Sequence, residues 1–142
     1  MILIVDTNIL FAGLLRNGLV RESLIKSHFI LYSPETAIKE IRKYQSEIIK
    51  RSGLTEEDFE DLLNLITENI NIIEKERYFE KLEEANKLMG HIDKVDVPFI
   101  ALALSITNDG IWTDNIRDFG KQNKIKIWTT KDILNLLENK GN

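Results

Sequence analysis

Residues 1–10 read MILIVDTNIL, and the break at the sixth position decides how the chain folds. Ile2 to Val5 is a continuous apolar run, too short for a helix and suited to a central strand buried on both faces. Asp6, Thr7 and Asn8 interrupt it, and a second apolar stretch, Ile9 to Leu15, follows at once. A buried strand that turns directly into a helix is the opening of a parallel α/β unit. A carboxylate at that seam stands where such sheets bind ligands, beyond the carboxyl ends of the strands. It can also be no more than the cap of the next helix.

Outward from this seam the alternation continues. Short helices are predicted over Ile9 to Leu15 and Leu19 to Lys26, with a break near Asn17-Gly18. Phe29 to Tyr32 reads as a second strand, and Ser33-Pro34-Glu35 as the capped start of a helix running to about Arg51 and stopping near Gly53. Thr55 with Asp58 opens a helix to about Asn69. Ile70 to Ile73 is a short strand, followed by a charged helix from about Glu76 to Met89 that Gly90 ends. Val97 to Ile106 is apolar on almost every side, a buried helix with Pro98 in its first turn. Asn108-Asp109-Gly110 turns into a strand over Ile111 to Thr113, a helical turn spans Ile116 to Phe119, and Ile125 to Trp128 is the last strand. Thr129 with Asp132 caps a terminal helix to about Asn139. About five strands separated by helices predict a three-layer α/β/α fold around a central parallel sheet, with residues 1–142 as one domain.

Composition narrows the chemistry. A chain of 142 residues, 43% hydrophobic, is large enough for one core. No apolar run approaches the roughly 20 residues that span a bilayer, and no signal peptide is visible, so a soluble, cytoplasmic protein with no membrane role is expected. Without cysteine there are no disulfides, thiol nucleophiles or thiolate-held metals, and two histidines, His28 and His91, are too separated for an imidazole site. Any metal would be hard and held by oxygen. The formal net charge of −4 speaks against bulk electrostatic binding of nucleic acid, but not against an acidic enzyme site that reaches phosphates through cations.

Asp6 follows the first strand, Ser33 the second and Thr113-Asp114 the fourth, which places them on one edge of the sheet. Glu40 sits in the helix after the second strand. Asp96 starts the buried helix, whose direction the alternation rule leaves open because it follows another helix. Each acid has a plain alternative: Asp6 and Asp96 as helix caps, Glu40, Asp93 and Asp118 as solvated surface acids, Asp114 as a turn residue. Converging carboxylates must take up protons or a cation, and an oxygen-only cluster selects Mg2+ or Mn2+.

Taken together, VDTNIL, PETAIKEI with Glu40, DKVDVPFIALAL with Asp96 and WTDNIRDF with Asp114 resemble the PIN-domain family, over Ile2 to about Trp128. The resemblance is to small stand-alone prokaryotic members, many of them VapC-type toxin ribonucleases; no zinc ribbon or appended module of the larger relatives is present. It implies a Mg2+- or Mn2+-dependent endoribonuclease acting on single-stranded RNA, with Asp6, Glu40, Asp96 and Asp114 as the acidic quartet and Asp93 and Asp118 as additional acids. Thr7, Asn8, Thr113 and Asn115 would position substrate. One metal, or two about 4 Å apart, would make water nucleophilic near neutral pH, leaving 5′-phosphate and 3′-hydroxyl ends. Arg16, Arg21, Lys26, Lys39, Arg42 and Lys43 are candidates for contacts to the RNA backbone, each also readable as an ordinary solvated helix residue. A small antitoxin partner and a homodimer follow from the resemblance, with apolar helices near Leu14 to Leu24 and Leu62 to Ile66 serving as interface or core.

Two other readings compete. A PIN scaffold could bind RNA or a protein without cleaving. A haloacid-dehalogenase-like phosphatase also opens with a strand ending in Asp, but it needs a second Asp two residues on, where this chain has Asn8, and no convincing downstream lysine is found.

Overall fold

The computed structural model describes residues 1–26, 28–89 and 94–140. Five parallel strands, β1 (Ile2–Val5), β2 (Ile30–Pro34), β3 (Ile70–Ile73), β4 (Ile111–Trp112) and β5 (Ile127–Trp128), form one sheet in the order β3-β2-β1-β4-β5. The chain moves outward from β1 to β2 and β3, then returns to β4 on the other side of β1. Right-handed crossovers therefore put the helices preceding β2 and β3 on one face and those preceding β4 and β5 on the other. The reversal lies between β1 and β4, which makes their carboxyl ends the topological switch point where open α/β sheets take ligands.

On the first face run α1 (Thr7–Leu15), α2 (Leu19–Ile25), α3 (Glu35–Lys43), α4 (Gln45–Ser52) and α5 (Glu56–Glu68). Their buried apolar residues face the core on this side of the sheet; in α5 these are Phe59, Leu63 and Ile66, at helical spacing. Leu14, Leu24, Leu63 and Ile66 are buried in this core, so the two helical segments considered as interfaces spend these side chains inside the molecule. The other face carries α6 (Leu82–Met89), α7 (Val97–Ser105) and α8 (Ile116–Phe119), and α9 (Thr130–Lys140) follows the last strand. Six of the seven positions of α7 from Val97 to Ala103, all but Pro98, are buried, as its all-apolar sequence requires.

Several boundaries differ from those read in the sequence. Ser33 does not cap α3. It stays in β2, aligned with Ile72 of β3, and its hydroxyl donates to the Val5 carbonyl at 2.9 Å, satisfying the end of β1. The predicted helix from 34 to 51 is two helices, broken at Tyr44, whose ring packs edge-on against Phe11 with centroids 6.1 Å apart. Gly53 closes α4 in the left-handed conformation, at φ 77°. The predicted helix from Glu76 begins instead as two 3-10 turns, Lys75–Arg77 and Phe79–Lys81, which turn Tyr78 into the core while Phe79 stays exposed. Gly90, the predicted end of α6, lies outside the described residues. The strands β4 and β5 are each two residues long.

Candidate functional site

Asp6 is placed by the ladder of β1. Its amide donates to the Trp112 carbonyl at 3.0 Å, extending the Val5–Trp112 register by one residue and bringing it beside Thr113. The residue occupies the N-cap position of α1, yet its carboxylate makes no capping bond. It accepts the Thr113 hydroxyl instead, at 2.7 Å, in a fully buried contact. Asp6 is 2% exposed. Burial is the main force raising its pKa, and the negative charge of Asp114 adds to it; the Thr113 hydroxyl and the nearby amides of Thr7 and Asn8 pull the other way without prevailing.

Asp114 stands one residue past Thr113, on the exposed rim. Its two oxygens accept the amide and the hydroxyl of Thr130, each at 2.7 Å. The Thr130 hydroxyl also accepts the Trp112 indole N–H at 3.1 Å, so one side chain ties β4, Asp114 and the start of α9 together. Thr130 was not singled out in the sequence, although its setting was visible there: it is the second residue of the Thr129–Asp132 capping box. That box is reciprocal in the structure, with Asp132 N to Thr129 Oγ1 at 3.2 Å and Thr129 N to Asp132 Oδ2 at 2.9 Å.

Around this pair, Thr7 is buried with its hydroxyl lacking a hydrogen-bond partner, and Asn8 is exposed. Asn115 donates its amide to Thr113 Oγ1 at 3.0 Å and exchanges bonds with Asp118, capping α8 and occupying the Asp118 carboxylate. Asp96 is 7% exposed at the N-cap of α7. Its position in the fold follows from what comes after it: α7 leads through a short loop into the amino end of β4, so its own amino end lies at the carboxyl edge of the sheet, with Asp6. Glu40 is half-buried on α3, five residues beyond Glu35, or about 7.5 Å along the axis from the sheet edge. Asp93 falls outside the described residues.

The cation candidates divide. Arg21 donates to the Gly13 and Leu14 carbonyls at 2.6 and 3.2 Å, capping the end of α1. Arg42 is engaged by Glu60 and Gln45, and the Lys43 ammonium lies 5.4 Å from the Tyr44 ring centre. Arg16 and Lys39 line surface cavities.

Could these residues hold a divalent cation? The donors are hard carboxylate oxygens, and a cation between Asp6 and Asp114 would relieve the burial and repulsion that disfavour ionised Asp6. Two carboxylates fit that demand; among the described residues no group of three or more acidic, histidine or cysteine side chains is close enough to share an ion.

The PIN domain profile matches residues 4–138. The chain belongs to the PIN-domain family. As a PIN domain its fold is also similar to a chain in the crystal structure of VapBC2 from Rickettsia felis bound to a DNA fragment from their promoter. The TM-score is 0.65 at 18% identity, over 91% of this chain and 98% of that one. No curated protein matches this PIN domain in sequence. No helix among its described residues is long and apolar enough to cross a membrane.

Proposed function

We propose that this PIN domain is an endoribonuclease that hydrolyses phosphodiester bonds in single-stranded RNA with Mg2+ or Mn2+, and that it is the cytoplasmic toxin of a toxin–antitoxin pair. The observation that carries the reading is the buried Asp6 carboxylate held against Thr113 beside Asp114, at the switch point of a PIN fold. Asp6 and Asp114 would hold the cation, with Asp96 and Glu40, and then Asp93 and Asp118, as the further acids that the family pattern nominates. When bound, the cation supplies Lewis acidity toward a phosphate and toward water. The protein's own part is to fix that position. Thr113 orients Asp6, Thr130 orients Asp114, and the apolar strands beneath exclude water from one side. Thr7, Asn8 and Asn115 border the same edge and would position the scissile phosphate.

Incubating the purified protein with end-labelled single-stranded RNA, with and without Mn2+ or Mg2+, tests the reading, with Asp6→Asn as control. Metal-dependent cleavage lost in the variant, leaving 5′-phosphate and 3′-hydroxyl ends, is the expected result. No cleavage under any metal condition overturns it. The second reading, a scaffold that binds without cleaving, draws on Asp114 having both oxygens engaged by Thr130; an Asp6→Asn variant with unchanged cellular effect would favour it. A small antitoxin is the proposed partner, together with a second copy of the chain in a homodimer. Co-purification of a small protein expressed from beside the gene checks the first, and sedimentation the second.

A further inference from the structure

The carboxyl edge that carries the acids also carries a cavity of about 500 Å³ that the proposed reaction does not use. Its lining comes from residues just past the end of β2 (Thr36 and Lys39 on α3), just past the end of β3 (Lys75, Tyr78) and from the start of α7 (Val97, Pro98). The acids Asp6 and Asp114 lie beyond β1 and β4; the cavity lies beyond β2 and β3. Strands in a sheet are about 4.8 Å apart, so the cavity is one to two spacings, roughly 5–10 Å, to the side of Asp6.

Charge marks this cavity out in a chain of net −4. Lys39, Lys75 and Lys94 all line it, and among the described residues none of the three is in an ion pair. The lining also holds two carboxylates, each with a contact of its own. Glu35 accepts the Lys75 amide at 3.3 Å, and Glu83 lies 3.7 Å from Lys87. The walls between the lysines are apolar, from Leu82, Val97 and Pro98. Tyr78, 1% exposed, brings its hydroxyl near that of Thr36, and neither closes a well-formed hydrogen bond. Cations outside any ion pair, with Lys75 6.0 Å from the Phe79 ring centre, around an apolar slot whose wall holds the Thr36 and Tyr78 hydroxyls match the two parts of one nucleotide, a phosphate and a base. Single-stranded RNA can offer both, because its bases are free to splay out of the chain.

We infer that this cavity is a nucleotide subsite, which takes the base next to the scissile phosphate while Lys39, Lys75 and Lys94 hold the flanking RNA backbone. The inference rests on the reading of this PIN domain as a nuclease of single-stranded RNA. The strand would run along the carboxyl edge from β4 and β1 toward β3, and the subsite would set which base is accepted at one position beside the cut.

Fluorescence anisotropy with labelled single-stranded RNA, in the Asp6→Asn background, separates binding from cleavage. Lys75→Ala and Lys94→Ala should each weaken binding about fivefold and lower the slope of log K against log salt by roughly 0.7, whereas Lys50→Ala on α4 should change neither. RNA carrying 4-thiouridine should photo-crosslink to the peptide containing Tyr78. Unchanged affinity and salt slope in both lysine variants, crosslinks confined to other peptides, or no binding of single-stranded RNA at all would each overturn the subsite. Binding that depends on these lysines in a wild-type protein that does not cleave would sink the nuclease reading and leave the subsite standing; cleavage by lysine variants that bind as wild type does the reverse.

Discussion

The Thr113 hydroxyl donates to Asp6 at 2.7 Å and accepts the Asn115 amide at 3.0 Å, so a single buried oxygen joins β1 to the loop that presents Asp114. Of the groups that favour ionised Asp6 it is the strongest. Thr113→Val keeps the shape and removes the donor. The proposed cleavage should fall about 10- to 100-fold, and the acid limb of its pH profile should move to higher pH as Asp6 becomes harder to ionise. Thr113→Ser should stay within a few fold. A valine variant with the wild-type pH profile would show that the bond only fills space.

Ionised Asp6 weakens the metal-free fold. Its pKa is raised above the ordinary 3.8 by burial, so the folded protein holds that proton more tightly than the unfolded chain does. The penalty is absent below about pH 3.8, grows as pH rises through the folded pKa and is complete above it. Asp6→Asn should therefore stabilise the protein by about 1 kcal/mol at neutral pH, while abolishing cleavage. The gain should vanish in acid. Urea melts across pH measure it. Mn2+ should raise the wild-type Tm, EDTA should reverse the rise, and the variant should respond to neither.

Asp114 owes its orientation to Thr130. Thr130→Val leaves the amide bond but deletes the hydroxyl, freeing one carboxylate oxygen and stranding the Trp112 indole N–H. We expect kcat to drop about tenfold and the Mn2+ concentration for half-maximal activity to rise, with KM for RNA little changed. Restoration by Thr130→Ser would separate the hydrogen bond from packing. A change in KM alone would argue that Thr130 touches substrate.

Gly110 enters β4 at φ 137°, a conformation other residues rarely adopt, and an added Cβ would lie 2.8 Å from the Trp128 ring and closer still to the Lys126 carbonyl. Gly110→Ala should cost about 3 kcal/mol, read as a lower denaturation midpoint. Because β4 leads directly into Thr113 and Asp114, activity should fall with it. A variant as stable as wild type would mean that the turn can be rebuilt.

Much of this was legible in the chain, for definable reasons. Apolar runs of strand length ending in Asp6, Ser33 and Thr113-Asp114 mark the carboxyl edge of a parallel sheet directly. Asp96 could not be oriented that way, because its helix follows a helix; the short path from α7 to β4 decides it. Ser33-Pro34-Glu35 carries every local sign of a capped helix start, yet Ser33 is claimed by the Val5 carbonyl and the pairing with β3, which are long-range partners. The break at Tyr44 has no glycine or proline to announce it, and the ring there packs on Phe11, a partner distant in sequence. Arg21 and Arg42 were nominated for RNA because their charge is visible in sequence, whereas the carbonyls and the carboxylate that occupy them are not.

The two halves of the sheet differ in depth. The ladders joining β1, β2 and β3 pair three and four residues, while those joining β4 to β1 and to β5 pair two each. Shallow ladders open first, so warming should detach Asp114 from Asp6 while the other side of the sheet still holds, and the protein would fall silent before it melts. The chain's two tryptophans, Trp112 and Trp128, both sit in that shallow half. Their fluorescence is thus a built-in gauge of whether the site is assembled, readable apart from the helical signal of the whole.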